Sequence, residues 1–151
     1  MQVKELPAQK YFIYRTETTL LNVNAIAERE VDVLYGTVGQ LGLSVAGNLE
    51  FIYWGATGDL TKPFTLEIAL PIGDEEVSIP PKYEIVEYPA FKAFAHTHLG
   101  DFSNVMPVYE EMFKQLFAQG HQPTNQTREV YIHWVDLTSP ENVTEILLEI
   151  A

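Results

Sequence analysis

The sequence predicts an α+β fold made of two copies of a β-α-β-β unit, with one antiparallel sheet, one long helix per half and a ligand cleft between the halves. Three observations carry that prediction. Two apolar stripes of helical period occur, and a glycine closes each. Strand-like runs rich in aromatic and β-branched residues flank each stripe. Corresponding residues of the two parts are separated by one nearly constant spacing.

The elements follow in chain order. Residues 3–16 read as a strand centred on Tyr11, Phe12, Ile13 and Tyr14, with Pro7 confining its start to an edge or a bend. Ala27, Val31, Leu34, Tyr35, Val38 and Leu41 then form a single stripe of a 3.6-residue helix, with Asn22 or Asn24 available as a cap and Gly42 as its end. Residues 51–54 form a short strand, 55–63 a loop with two glycines and a proline, and 64–72 a further strand. The polar, proline-bearing stretch 73–82 reads as the linker between pseudo-repeats 1–72 and 83–151 of a single domain. After it the order returns. Residues 83–98 are strand-like, with an early proline at Pro89. Val105, Tyr109, Met112, Phe113, Leu116 and Phe117 make the second helical stripe, with Pro107 in its first turn and Gly120 at its end. Residues 122–127 read as a polar turn, and the strands 128–134 and 143–150 finish the chain.

The repeat is numerical. Ala27/Val105, Val31/Tyr109, Leu34/Met112, Tyr35/Phe113, Val38/Leu116 and Gly42/Gly120 all differ by 78, as do Tyr53/Tyr131, Glu67/Glu145, Ile68/Ile146 and Ile72/Ile150. Glu5, Pro7 and Ala8 match Glu87, Pro89 and Ala90 at 82, a four-residue slip placed in the loop before each helix. Each half has roughly 70 residues, too few for a sound core alone, so the halves are expected to pack together.

Composition bounds the chemistry. At 46% hydrophobic and 20% charged residues, the 151-residue chain has the make-up of an ordinary globule. Its net charge of −12 opposes phosphate backbones, so no direct nucleic-acid binding is expected, and basic proteins or cationic small molecules are favoured. The absence of cysteine excludes disulfides, thiolate catalysis and cysteine metal sites. No apolar leader or membrane-length run occurs, so a cytoplasmic protein without membrane contact is expected. No phosphate-binding, dinucleotide-binding or nucleophile-elbow pattern is present, and no cofactor is expected.

Chemistry centres on residues 128–134. Simple alternation puts Val130, Ile132 and Trp134 on one face and Glu129, Tyr131 and His133 on the other. Glu129 is read either as an ordinary surface acid or as an acid set in an aromatic cleft. At the spacing of 78, Phe51 corresponds to Glu129 and Tyr53 to Tyr131, so the two pairs are expected to line opposite walls of the cleft. Burial would raise the pKa of Glu129, and a lipophilic cation stacked on Tyr53, Tyr131 and Phe51 would supply the missing charge. Tyr35, Phe113, Phe117, Trp54 and Trp134 read as packing residues. Glu28, Arg29, Glu30, Glu110 and Glu111 read as solvated helix faces. His96 and His98 share a strand face, but no third ligand stands at a recognisable spacing, and no metal is expected.

His98, Gly100 and Phe102 followed by Tyr109 and Leu116, then Gly120 with Arg128, Glu129, Val130 and Tyr131, and finally Thr144, Glu145 and Ile146 resemble the motifs of the GyrI-like small-molecule-binding domain. The same domain is the effector-binding half of AraC- and MerR-type multidrug regulators. The resemblance covers nearly the whole chain, with no helix-turn-helix beside it, and so implies a stand-alone member. It implies an aromatic cleft for bulky, hydrophobic, often cationic compounds, with the family's glutamate mapping onto Glu129. Two other roles follow from it. One is hydrolysis of small electrophiles, with Glu129 as general base and Tyr131 as donor to the leaving group. The other is an acidic interaction partner, of a separate regulator or of a topoisomerase such as DNA gyrase. Where the closing strand of many members has a proline, this chain has Glu149.

Overall fold

A computed structural model describes residues 1–151. In chain order it contains strands β1 (Gln2–Leu6) and β2 (Gln9–Thr18), helix α1 (Val23–Gln40), and strands β3 (Glu50–Trp54), β4 (Phe64–Pro71), β5 (Glu84–Tyr88) and β6 (Phe91–Leu99). Helix α2 (Met106–Ala118) and strands β7 (Pro123–His133) and β8 (Val143–Ile150) complete it. All eight strands join one antiparallel sheet in the order β1-β6-β8-β7-β3-β4-β2-β5. Exchanging β1 with β5, β2 with β6, β3 with β7 and β4 with β8 reads that order backwards, which is the signature of a twofold repeat.

The first segment of each half departs from the single strand expected there. Each breaks at a proline, Pro7 or Pro89, which has no backbone N–H to give to a ladder. The piece before the break pairs with the opposite half: β1 with β6 and β5 with β2. Each half therefore completes the sheet edge of the other.

Both helices pack on the same face of the sheet. Val23, Ile26, Glu30, Leu34 and Val38 are buried on α1, at steps of three and four residues, and Met112 and Leu116 on α2. They cover two clusters, around Phe12, Leu66, Ile68 and Leu70 in the first half and around Phe94, Ile146, Leu148 and Ile150 in the second. The helix ends are matched too. Gly42 and Gly120 hold φ values of +73° and +82°. In each case the following residue, Leu43 or His121, bonds back to the carbonyl of Val38 or Leu116. This is a left-handed cap that a side chain would strain.

Three local readings change. All but the first residue of the turn expected at 122–127 lies inside β7, because the backbone pairs despite its polar side chains, with a register shift between Pro123 and Thr127. The linker 73–82 is tied down: Ser44 donates from its backbone N–H and its hydroxyl to Glu75, and Val77 and Ile79 pack on the first core. Glu30 is not a solvated helix residue. It is buried against Lys82 Nζ at 2.6 Å and Arg29 Nε at 2.9 Å, and those partners hold its carboxyl below the ordinary range against the opposing effect of burial.

The sheet curls so that its second face, free of helices, encloses packing of its own. Tyr11, Ile13, Ile52, Ala69, Ala93, Ala95 and Leu147 are all buried there. Adjacent strands lie about 4.8 Å apart, yet Arg128 Nη1 on β7 donates to the Tyr11 oxygen on β2, three strands away, at 2.9 Å. No helix in the structure is long and apolar enough to cross a membrane.

Candidate functional site

The two halves meet at β3 and β7, where Glu50 pairs with Val130, Phe51 with Glu129, Ile52 with Arg128 and Tyr53 with Thr127. Phe51 and Glu129 are counterparts in the repeat and also direct cross-strand partners. The pseudo-twofold therefore passes between them. A residue on this axis and its counterpart must be neighbours, and here one is a phenylalanine and the other a carboxylate. Alternation along the strands then puts Phe51, Tyr53, Glu129 and Tyr131 on the helix side, and Glu50, Ile52, Arg128 and Val130 on the opposite face.

On the helix side a cavity of about 1170 Å³ opens between α1, α2, β3 and β7, with 28 lining residues of which 19 are hydrophobic. All four residues singled out in the sequence line it. They do not stand on opposite walls, as the repeat first suggests. Because they flank the axis on adjacent strands, they lie side by side on the sheet, and the helices form the walls.

Glu129 is 5% exposed and accepts three phenol hydrogens. Its Oε1 takes Tyr53 Oη–H at 2.9 Å and Tyr131 Oη–H at 2.6 Å, and its Oε2 takes Tyr109 Oη–H at 2.6 Å. Burial pushes its carboxyl pKa above the ordinary 4.5, and the three phenol bonds offset this only in part. The same burial, with the adjacent carboxylate, raises all three phenols well above their usual value, so they remain protonated donors. A carboxylate has about four lone-pair sites; three are occupied, and the remaining one is on Oε2. Glu129 takes part in no ion pair, and no Lys, Arg or His lines the cavity.

Aromatic rings surround the carboxylate. Tyr131 meets Phe51 edge-on at 5.0 Å between centroids, Trp134 at 5.1 Å and Phe102 at 6.3 Å, and Tyr53 stacks on Phe64 at 5.5 Å. Trp134 is thus not a core residue. A register shift between Tyr131 and His133 breaks the alternation and brings it to the cavity, 40% exposed. Trp54 is part-buried on the opposite face, where its Nε1–H bonds Glu67 Oε1 at 2.8 Å. Tyr35 and Phe113 line the cavity, Phe117 is 55% exposed, and Glu28 and Glu110 face the cavity mouth. Tyr109 did not stand out in the sequence as a site residue, although the pair Val31/Tyr109 carried the same kind of asymmetry as Phe51/Glu129. His98, considered as a ligand, meets the Asp101 carbonyl at 2.8 Å through Nε2.

The sequence matches no protein-family model and no curated protein. Solved structures do match. EcmrR in a DNA complex superposes with a TM-score of 0.82 at 19% identity, over 99% of this chain and 56% of that one. The chain thus spans little more than half of EcmrR. The EcmrR C-terminal domain by itself gives 0.81 at 19% identity, over 99% and 96%. SAV2435, in a structure bound to tetraphenylphosphonium, gives 0.72 at 17% identity, over 99% and 93%. At these identities the likeness is one of fold: this chain, an eight-stranded antiparallel sheet with two helices, shares the fold of the C-terminal domain of EcmrR.

Proposed function

We infer that the protein binds bulky, hydrophobic cations in the cavity between α1 and α2, with Glu129 as the counter-charge and Phe51, Tyr53, Tyr109 and Tyr131 as the surrounding rings. The observation that carries this reading is a buried carboxylate held by three phenols, with no cation of its own, in a mostly apolar cavity. Taking an unpaired carboxylate out of water is costly, and hydrogen bonds repair only part of the loss. A cationic ligand supplies the rest, and its apolar body replaces water against the rings. A site built from a point charge and flat surfaces tolerates many ligand shapes. The fold it shares with SAV2435, which carries tetraphenylphosphonium in its solved structure, supports the same reading.

The arrangement favours binding over hydrolysis. A general base needs a free lone pair aimed at water. Here Oε1 accepts two phenol hydrogens and Oε2 one, so most of the basic capacity of Glu129 is already engaged.

Titration of tetraphenylphosphonium and rhodamine-type dyes, read by tryptophan fluorescence and calorimetry, tests this. Micromolar affinity, about −8 kcal/mol, is expected, with quenching through Trp134 at the cavity edge. Glu129→Gln preserves shape and removes charge, and is expected to weaken cations by about 1–3 kcal/mol. Neutral compounds of the same shape should respond little to that substitution. Equal affinity for charged and neutral analogues would remove Glu129 from the reading.

A further inference from the structure

The cavity carries acid at two depths. Glu129 lies on the sheet beside the pseudo-twofold. On the helix side stand Asp32 of α1 and Glu110 of α2, which are counterparts at the spacing of 78 and so flank the same axis. Glu28 lies one helical turn before Asp32 and also lines the cavity. All three are exposed to solvent, and none takes part in an ion pair. An exposed acid on a helix is ordinarily just a solvated one. These three differ because they share a cavity with a buried, uncompensated carboxylate, and because nothing basic lines the space between.

Symmetry sharpens the point. Close to the axis on the sheet, the repeat has kept a carboxylate in only one half, with phenylalanine in the other. At the mouth it has kept one in both. A ligand with a single charge is satisfied at Glu129 and leaves the mouth uncompensated. Glu129 lies on the sheet, whereas Asp32 and Glu110 lie on the helices packed over it, so the two acidic levels belong to different layers of the fold.

We propose that the preferred ligands are elongated dications, one charge set at Glu129 and the second held between Asp32 and Glu110 at the cavity mouth. This rests on the cation-binding reading above and names the ligand class within it. The deep charge contributes in a dry site, whereas the outer one sits in water and is screened by salt.

The test compares bis(triphenylphosphonium) alkanes of increasing linker length with singly charged alkyltriphenylphosphonium ions of the same chain length. Binding is measured by calorimetry to the wild type, to the double variant Asp32→Asn/Glu110→Gln and to Glu129→Gln. In the wild type the dication should bind roughly two- to fivefold tighter than its matched monocation, with an optimum at one linker length. That ratio should fall toward one in the double variant and at high salt, and should persist in Glu129→Gln while both ligands weaken together. Equal affinity of matched dications and monocations at every linker length overturns the proposal and leaves the cation site intact. So does a ratio unchanged in the double variant. Failure of every cation to bind removes the underlying reading, and the proposal with it. Both substitutions are on exposed helix positions, and circular dichroism checks that the fold is kept.

Discussion

Two buried glutamates lie within one residue of the pseudo-twofold, on opposite faces of the same pair of strands, and they are treated differently. Glu50 is 8% exposed and Glu129 5%. Burial raises both carboxyls, and each accepts tyrosine hydrogens. On the helix-free face, however, the repeat places Arg128 at the counterpart of Glu50, and its Nη1 reaches Glu50 Oε1 at 3.3 Å. Tyr11 Oη–H bonds Glu50 Oε2 at 2.9 Å, Gln126 accepts Arg128 Nε–H at 2.5 Å, and the guanidinium lies 4.2 Å from the Phe91 centroid. The charge of Glu50 is thus matched inside the fold. On the helix face, the counterpart of Glu129 is Phe51. The same duplication has thus produced a closed ion pair on one side and an open half of one on the other. The closed pair ties β7 to β2 across the curled sheet, and the open half is the one that the proposed cation would complete.

The comparison breaks most easily at Arg128. Arg128→Ala leaves Glu50 buried without a cation and removes the guanidinium from its ring, so a loss of about 3–5 kcal/mol in unfolding free energy is expected. Replacing both partners by apolar residues of similar volume should cost far less than the single change, because no uncompensated charge then remains. Urea denaturation of the two singles and the double measures the coupling. A cost for Arg128→Ala below about 1 kcal/mol would mean that the pair is not what closes this face.

Amide substitution at each glutamate compares the faces directly. Glu50→Gln should destabilise the ligand-free protein by about 1–3 kcal/mol, since the charged partner of Arg128 is lost. Glu129→Gln should leave it as stable or make it more so, since no cation loses a partner. The pH dependence follows from the raised carboxyl of Glu129. The folded state keeps its proton where the unfolded chain has lost it. Glu129 therefore lowers stability as pH rises from about 4.5 through the raised folded value, and its burden is relieved on acidification. Cation affinity runs the opposite way and falls as pH drops through that value. Glu129→Gln should flatten both trends, and thermal unfolding at a series of pH values shows whether it does. Identical pH profiles for wild type and variant would place the Glu129 titration outside this range.

How much of this was legible in the sequence depends on which interactions set each feature. The helices, their glycine ends and the strands of residues 51–54 and 143–150 follow from periodicity and turn chemistry, which are local. The constant spacing of 78 exposed the repeat, and with it the pairing of Phe51 with Glu129. That Pro7 and Pro89 send each first strand to the other half was not legible, because strand partnership is decided by the whole sheet. Nor was Trp134, because a bulge reverses alternation without marking the sequence. Arg128 and Glu50 are also counterparts at 78, and their opposite signs could have announced the pair. Tyr109 is the instructive omission. A tyrosine on an apolar helical stripe reads as packing until one notes that its counterpart, Val31, has no hydroxyl to offer.

Tyr109 also offers the finest division between the two faces. Tyr109→Phe deletes the donor to Glu129 Oε2 and keeps the ring. Losing a bond that favours the charged form raises the Glu129 carboxyl further. Fewer molecules are then ionised at any pH within the titration of Glu129, and the freed lone pair of Oε2 is left for water or ligand. Tetraphenylphosphonium should bind more weakly on the acid side of the Glu129 titration, with the pH midpoint of binding moved upward and wild-type affinity regained above it. The matching change on the other face, Tyr11→Phe, also removes a phenol from a buried carboxylate. There Arg128 still neutralises Glu50, so a small loss of stability is expected, with no shift in the pH dependence of cation binding. If Tyr109→Phe weakens tetraphenylphosphonium equally at every pH, the phenol acts by shape alone and does not tune the charge of Glu129. If Tyr11→Phe shifts the binding midpoint as far, the two faces are coupled through the strands, and the separation between closed pair and open half does not hold.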